Sequence, residues 1–90
     1  MKNGKLLMLW SCPTEDNGYC LNQAVSESGE IHGPWIQNKE RLYRENGGHG
    51  MIFKTFEGKT MLVIHAPDTP YGSERAVFFE IHESEDWLYL

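Results

Sequence analysis

Positive charge is scarce in this sequence: eight Lys and Arg stand against 13 Asp and Glu, for a net charge of -5. That is the wrong sign for a non-specific grip on a phosphate backbone, so nucleic acid is not an expected partner. Long apolar runs are missing too. Nothing approaches the ~18 consecutive apolar residues of a membrane span, and the run at 6–10 is cut by Ser11 too soon for a signal-peptide core. As written, the chain reads as cytoplasmic, or as exported if it belongs to a longer secreted parent. Helical periodicity is lacking as well, since no window carries an apolar face at i, i+3, i+4 and i+7. The nearest candidate, 38–46, is mostly polar and reads as an extended connection.

Cysteine is limited to Cys12 and Cys20, with seven residues between them, each in or beside a strand-like stretch. This spacing is no metal motif. Two readings stay open: a pair of reduced thiols acting as small apolar groups, or a cross-strand disulfide in an exported protein. Ninety residues suit one small domain with a modest core.

What is present is a succession of strand signals. Residues 5–11 and 60–65 are apolar and continuous, 19–26 and 51–56 alternate, 77–81 are aromatic and β-branched, and 87–90 form a short closing strand. Turn residues punctuate them at 13–18, 28–34, 46–50, 57–59 and 67–73. The fold expected is all-β. Gly4-Lys5-Leu6-Leu7-Met8-Leu9 returns 54 residues later as Gly58-Lys59-Thr60-Met61-Leu62-Val63, and each copy is followed by an acidic turn and a Trp, Trp35 and Trp87. A period near 50 residues with about four strands per unit is the pattern of propeller blades.

Few residues stand out for chemistry. His32, His49, His65 and His82 are spaced by 17, 16 and 17 residues, without the short pairs that zinc sites use, so independent roles are expected. His65 reads as a strand-end residue and His82 as solvated. Gly47-Gly48-His49-Gly50 reads as a glycine turn holding an imidazole in tight quarters. The clustered carboxylates, such as Glu83-Ser84-Glu85-Asp86, fall in expected turns, where solvated surface charge is the ordinary role. No Ser has a Gly-x-Ser-x-Gly frame, and neither Cys lies in a strand-turn-helix elbow.

Three blocks nevertheless occur in order: Ser26-Glu27-Ser28-Gly29-Glu30-Ile31-His32-Gly33-Pro34-Trp35, then Gly47-Gly48-His49-Gly50-Met51-Ile52-Phe53, then His65-Ala66-Pro67-Asp68 with Glu74-Arg75. Together they resemble the C-terminal part of glycoside hydrolase family 43, the arabinanase and β-xylosidase-like enzymes. The resemblance implies two antiparallel, blade-like sheets of a five-bladed β-propeller, about 1–37 and 38–90. It implies a ligand that is an arabinose- or xylose-containing oligosaccharide or polysaccharide. The family's three catalytic carboxylates lie upstream of the matched region, so no catalytic residue is assigned here and the chain alone is expected to be inactive. By the same resemblance His49 is a substrate- and metal-site residue facing the channel, with calcium the implied ion. Arg75 is a substrate contact, and its planar fork suits paired hydrogen bonds to sugar oxygens. Where many members carry Glu-Arg-Pro and His-x-Pro-Asn, this chain has Ala76 after Arg75 and Asp68 after Pro67. Uncovered blade faces imply self-association. The alternative is a stand-alone carbohydrate-binding or protein-interaction module using Trp10, Trp35, Trp87 and Tyr19, although tryptophan in a small β-domain is by default core.

Overall fold

Strand β2 (Tyr19–Ser26) is the axis of the molecule. From Cys20 to Ser26 every residue is buried, on both faces of its sheet. In the computed structural model, which describes residues 1–16, 18–70 and 72–90, β2 pairs antiparallel with β1 (Leu6–Pro13) along its whole length, from Leu6 opposite Ser26 to Pro13 opposite Tyr19. On its other edge β2 pairs with the short β3 (Trp35–Gln37). Beyond β3 the polar connection keeps alongside: Asn38 donates to the Gln23 carbonyl, and Leu21 exchanges backbone hydrogen bonds with Leu42 and Tyr43. The 38–46 stretch is thus an extended connection, as its lack of periodicity predicts.

A second antiparallel sheet is built from β4 (Gly48–Lys54), β5 (Thr60–Ala66) and β6 (Arg75–Glu80), with β5 in the middle. A two-stranded ribbon, β7 (His82–Glu83) and β8 (Leu88–Tyr89), closes the chain. The fold is all-β, as expected, and no helix among the described residues is long and apolar enough to cross a membrane. Overall dimensions of 39 × 34 × 18 Å are those of a slab two sheet layers thick. In the sequence repeat β1 matches β5 and β2 precedes its turn as β6 does, so β4 stands outside it.

Between the sheets lies an aliphatic core of Leu21, Leu62, Ile64, Ala66, Ile81 and Leu88, with Leu7, Leu9, Leu42, Tyr43, Val77 and Phe79 packed around it. The tryptophans are not in it. Trp35 and Trp87 are half-buried and Trp10 is exposed. Two of their indole N–H groups are satisfied at the rim, Trp10 on the Gln37 side-chain carbonyl at 3.0 Å and Trp35 on the Ile31 carbonyl at 2.8 Å. The default placement of tryptophan in the core is overturned because the sheets meet through small and branched aliphatic side chains, leaving no room for an indole.

Two expected turns are strands. Gly48–Lys54 begins inside the glycine stretch, so residues 48–50 belong to β4, while Phe56 falls in the turn beyond it. His82 and Glu83, expected in an acidic turn, pair with β8, and the His82 ring lies tilted against that of Tyr89 with ring centroids 5.3 Å apart. Asn17 and Tyr71, within the expected turns 13–18 and 67–73, lie outside the described residues.

The ribbon is fastened by side chains. The Gln23 amide donates to the Leu88 carbonyl and accepts from the Leu88 N–H, both at 2.9 Å, so a side chain takes the place of a neighbouring strand. Ile81 N–H donates to the Thr60 carbonyl at 3.0 Å. At the N-terminus Lys2 N–H donates to the Glu83 carboxylate, the Asn3 amide to the Glu85 carbonyl, and Lys5 Nζ to Asp86 at 2.6 Å. That last bond is the main reason the Lys5 ammonium is held above its ordinary pKa. Gln23→Ala leaves the Leu88 peptide without its partners in a buried place and is expected to cost about 1–3 kcal/mol. Leu62→Ala, which opens a cavity at the centre of the core, is expected to cost about 2–5 kcal/mol. Urea unfolding followed by tryptophan fluorescence measures both.

Candidate functional site

One end of the slab carries an open cleft of about 650 Å³, lined by Pro13, Gly18, Tyr19, His49, His65, Asp68 and Thr69. Its floor depends on space. The Gly47 N–H donates to the Tyr19 carbonyl at 3.1 Å, which joins the start of β4 to the start of β2. A Cβ at Gly47 would lie 2.6 Å from the His65 carbonyl oxygen, and one at Gly48 would lie 2.9 Å from the Tyr19 ring. Any side chain at either position forces the sheets apart.

His49 is reached through a bulge. The register of β4 on β5 slips between Gly48, opposite His65, and Met51, opposite Val63. An extra residue in one strand re-aims the side chains around it. His49 takes the left-handed conformation, with φ of 54°, and its N–H is held by the Ser11 hydroxyl of β1 at 2.9 Å. The ring is exposed at the cleft, 6.2 Å from His65 between centroids and edge-on to it.

His65 is the better-anchored imidazole. Its Nε2 lies 2.8 Å from the Asp68 carboxylate, and its ring stacks on Tyr19 at 5.7 Å with 24° between planes. Their side chains are 29% and 20% exposed, so the pair is sheltered but still open to a ligand. Asp68 is placed by the segment around it: its N–H donates to the Asn46 carbonyl at 2.7 Å, and the Asn46 side-chain amide donates to the Thr69 carbonyl at 3.0 Å and to its hydroxyl at 3.2 Å. In the neutral tautomer whose Nε2 proton points at Asp68, Nδ1 is an acceptor, and the cleft then offers acceptors, a hydroxyl and an aromatic ring.

The four histidines therefore do not all act apart. His49 and His65 come together, whereas His32 contacts Glu30 on the surface and His82 lies on the ribbon. From sequence, His65 is expected at a strand end, and Tyr19, Asp68 and Thr69 are not singled out as its partners or those of His49. Arg75 does not line the cleft. It starts β6 opposite Ala66, and its guanidinium donates to the Glu74 carbonyl at 2.7 Å. Among the described residues no three His, Cys, Asp or Glu side chains form a group that could hold a metal ion. Near His49 the one carboxylate lining the cleft is Asp68, already bonded to His65. This donor set does not make up the oxygen-rich shell calcium requires.

No family model matches the chain. Its fold is similar to part of the crystal structure of an endo-arabinase from Bacteroides thetaiotaomicron, with a TM-score of 0.85 and 41% identity over 94% of this chain and 30% of that one. It is also 31% identical over 88 residues to a pierisin from Pieris brassicae, a match covering 98% of this chain and 10% of that protein. The chain thus spans under a third of either protein's length.

Gly47→Ala tests the close approach. The added methyl meets the His65 carbonyl, the Ala66 side chain and the Tyr43 ring, none of which can yield without moving β5 or the core. It is expected to destabilise by about 1–3 kcal/mol, read by urea unfolding, and to shift the His65 ring resonances in an NMR spectrum.

Proposed function

We propose that these 90 residues form the sugar-binding end of a glycoside hydrolase of the family 43 type. In this reading they supply two blades of a five-bladed propeller, about 1–37 and 38–90, and the catalytic carboxylates come from outside the chain. The ligand is a pentose polymer or oligomer, arabinan before xylan. The observation that carries this reading is the 0.85 TM-score at 41% identity to a protein named as an endo-arabinase.

The chemistry of the cleft agrees with that ligand. A pentose ring presents hydroxyls at its edge and C–H groups on its face. Tyr19 offers an aromatic surface to the face, while Asp68, Thr69 and the free nitrogen of His65 offer acceptors and a donor to the edge. Among the described residues the cleft lining holds one carboxylate, Asp68; the paired acids of glycoside hydrolysis stand about 5–9.5 Å apart. Asp68 is therefore assigned to binding and to holding His65. Arg75 is kept as a contact with a longer ligand that extends past the Ala66 end of β5. A cation at His49 would complete its shell with water and with groups from outside these residues.

Isothermal titration with arabino- and xylo-oligosaccharides tests the assignment. Arabino-oligosaccharide is expected to bind more tightly, and Asp68→Ala to weaken it by about tenfold or more, the worth of a hydrogen bond to a charged group. Binding indifferent to both Tyr19→Ala and Asp68→Ala overturns the cleft. Hydrolysis of nitrophenyl arabinoside by the pure chain overturns the assignment of catalysis to groups outside it. Self-association through the outer face of β4–β6, where Met51 and Phe78 are 66% and 56% exposed, is expected to appear as a dimer or larger species in light scattering.

A further inference from the structure

Behind the cleft wall lies a pair of groups that sugar binding does not use. Cys12 and Cys20 stand directly opposite one another in the β1–β2 ladder, with their Sγ atoms 3.4 Å apart and both thiols free. Directly opposed residues of antiparallel strands have Cα atoms about 4.5–5.5 Å apart. A disulfide spans about 4.4–6.8 Å between Cα atoms, so the spacing of directly paired strands is compatible with the bond. The two sulfurs differ in access: Cys20 is fully buried, whereas Cys12 is half-buried. Burial first, and then its contact with Cys12, push the Cys20 thiol above its ordinary pKa. Asn22 lies across both, with Nδ2 3.3 Å from the Cys12 sulfur and 3.6 Å from that of Cys20, where it can donate to whichever sulfur carries negative charge.

We propose that Cys12 and Cys20 form a reversible dithiol–disulfide site, oxidised by small disulfides of the glutathione class, whose closure stiffens the adjoining wall of the cleft. The Cys12 thiolate attacks one sulfur of the small disulfide, forming a mixed disulfide and expelling one thiolate. Cys20 then attacks the Cys12 sulfur and passes its proton to the departing second thiolate. The protein gives up two electrons and two protons, and the small disulfide becomes two thiols. Each cysteine adjoins the cleft lining, Cys12 through Pro13 and Cys20 through Tyr19, whose ring carries His65. The link to the cleft rests on the sugar-binding reading, whereas the thiol chemistry does not.

The intact chain is incubated with oxidised glutathione, unfolded in an alkylating agent and weighed. Loss of two hydrogens, with neither cysteine alkylated and reversal by dithiothreitol, is expected. Cys20→Ser should stop at a stable glutathione adduct on Cys12, and Cys12→Ser should acquire almost none, because the remaining sulfur is buried. A persistent adduct on the unaltered chain, disulfide-linked dimers, or two alkylated cysteines overturn the site. Arabino-oligosaccharide titration of both redox forms reads the second claim, with the oxidised form expected to bind about threefold tighter or more, as a preorganised wall requires. Equal affinities overturn the coupling to the cleft. A disulfide that forms in a chain with no sugar affinity in either form leaves the redox site standing and overturns the sugar-binding reading.

Discussion

Two sheets can close on each other at the cleft end because residues 47, 48 and 50 have no side chains. At Gly50 a Cβ would press on Leu62 and Leu21 at 3.0 and 3.1 Å, and at Gly47 and Gly48 it would meet the backbone of β5 and the ring of Tyr19. The aliphatic core, the Tyr19–His65 stack and the bulge that turns out His49 all inherit their spacing from this contact. The glycines act here mainly through clearance. The left-handed position in the stretch belongs to His49, a residue with a Cβ, which the Ser11 hydroxyl and the paired strand on either side hold in place.

How far the sequence announced this depends on the kind of information each feature carries. Alternation placed β2 at its observed bounds and β4 to within a few residues, because side-chain periodicity follows directly from the pleat, while apolar or β-branched runs bounded by turn residues did the same for β1, β5 and β6. The ribbon was harder. His82–Glu83 reads as an acidic turn because its pairing with β8 is set by a distant glutamine side chain, not by local pattern. The glycine stretch read as a turn since glycine marks both loops and close approaches, and only the neighbouring sheet decides between them. Tryptophan was expected inside on the strength of its area, but the distance between two touching sheets is a tertiary quantity.

The cleft shows the same division. His49 was marked by its glycines, whereas His65 read as a strand-end residue and Asp68 stood only within a block resembling family 43 sequences. Their meeting required the Asn46 turn and the 67–70 segment to lock together through Thr69. Arg75 was marked by the same resemblance yet stands outside the cleft lining, where the β5–β6 register pairs it with Ala66, one residue beyond His65. Residues from one motif can share a strand end without sharing a cavity.

The Gln23–Leu88 contact gives the molecule an internal order of opening. A strand joined by a ladder peels away one hydrogen bond at a time, and each loss exposes only the next. Strand β8 instead meets β2 through one side-chain amide, so rotation of Gln23 releases both Leu88 bonds together. Thr60, Lys2, Asn3 and Lys5 still hold the 81–86 end of the ribbon. The β8 end thus behaves as a latch, and opening there should release both bonds together and more often than β2 or β5 opens. The Leu88 amide would exchange with solvent deuterium while the centre of both sheets stayed protected.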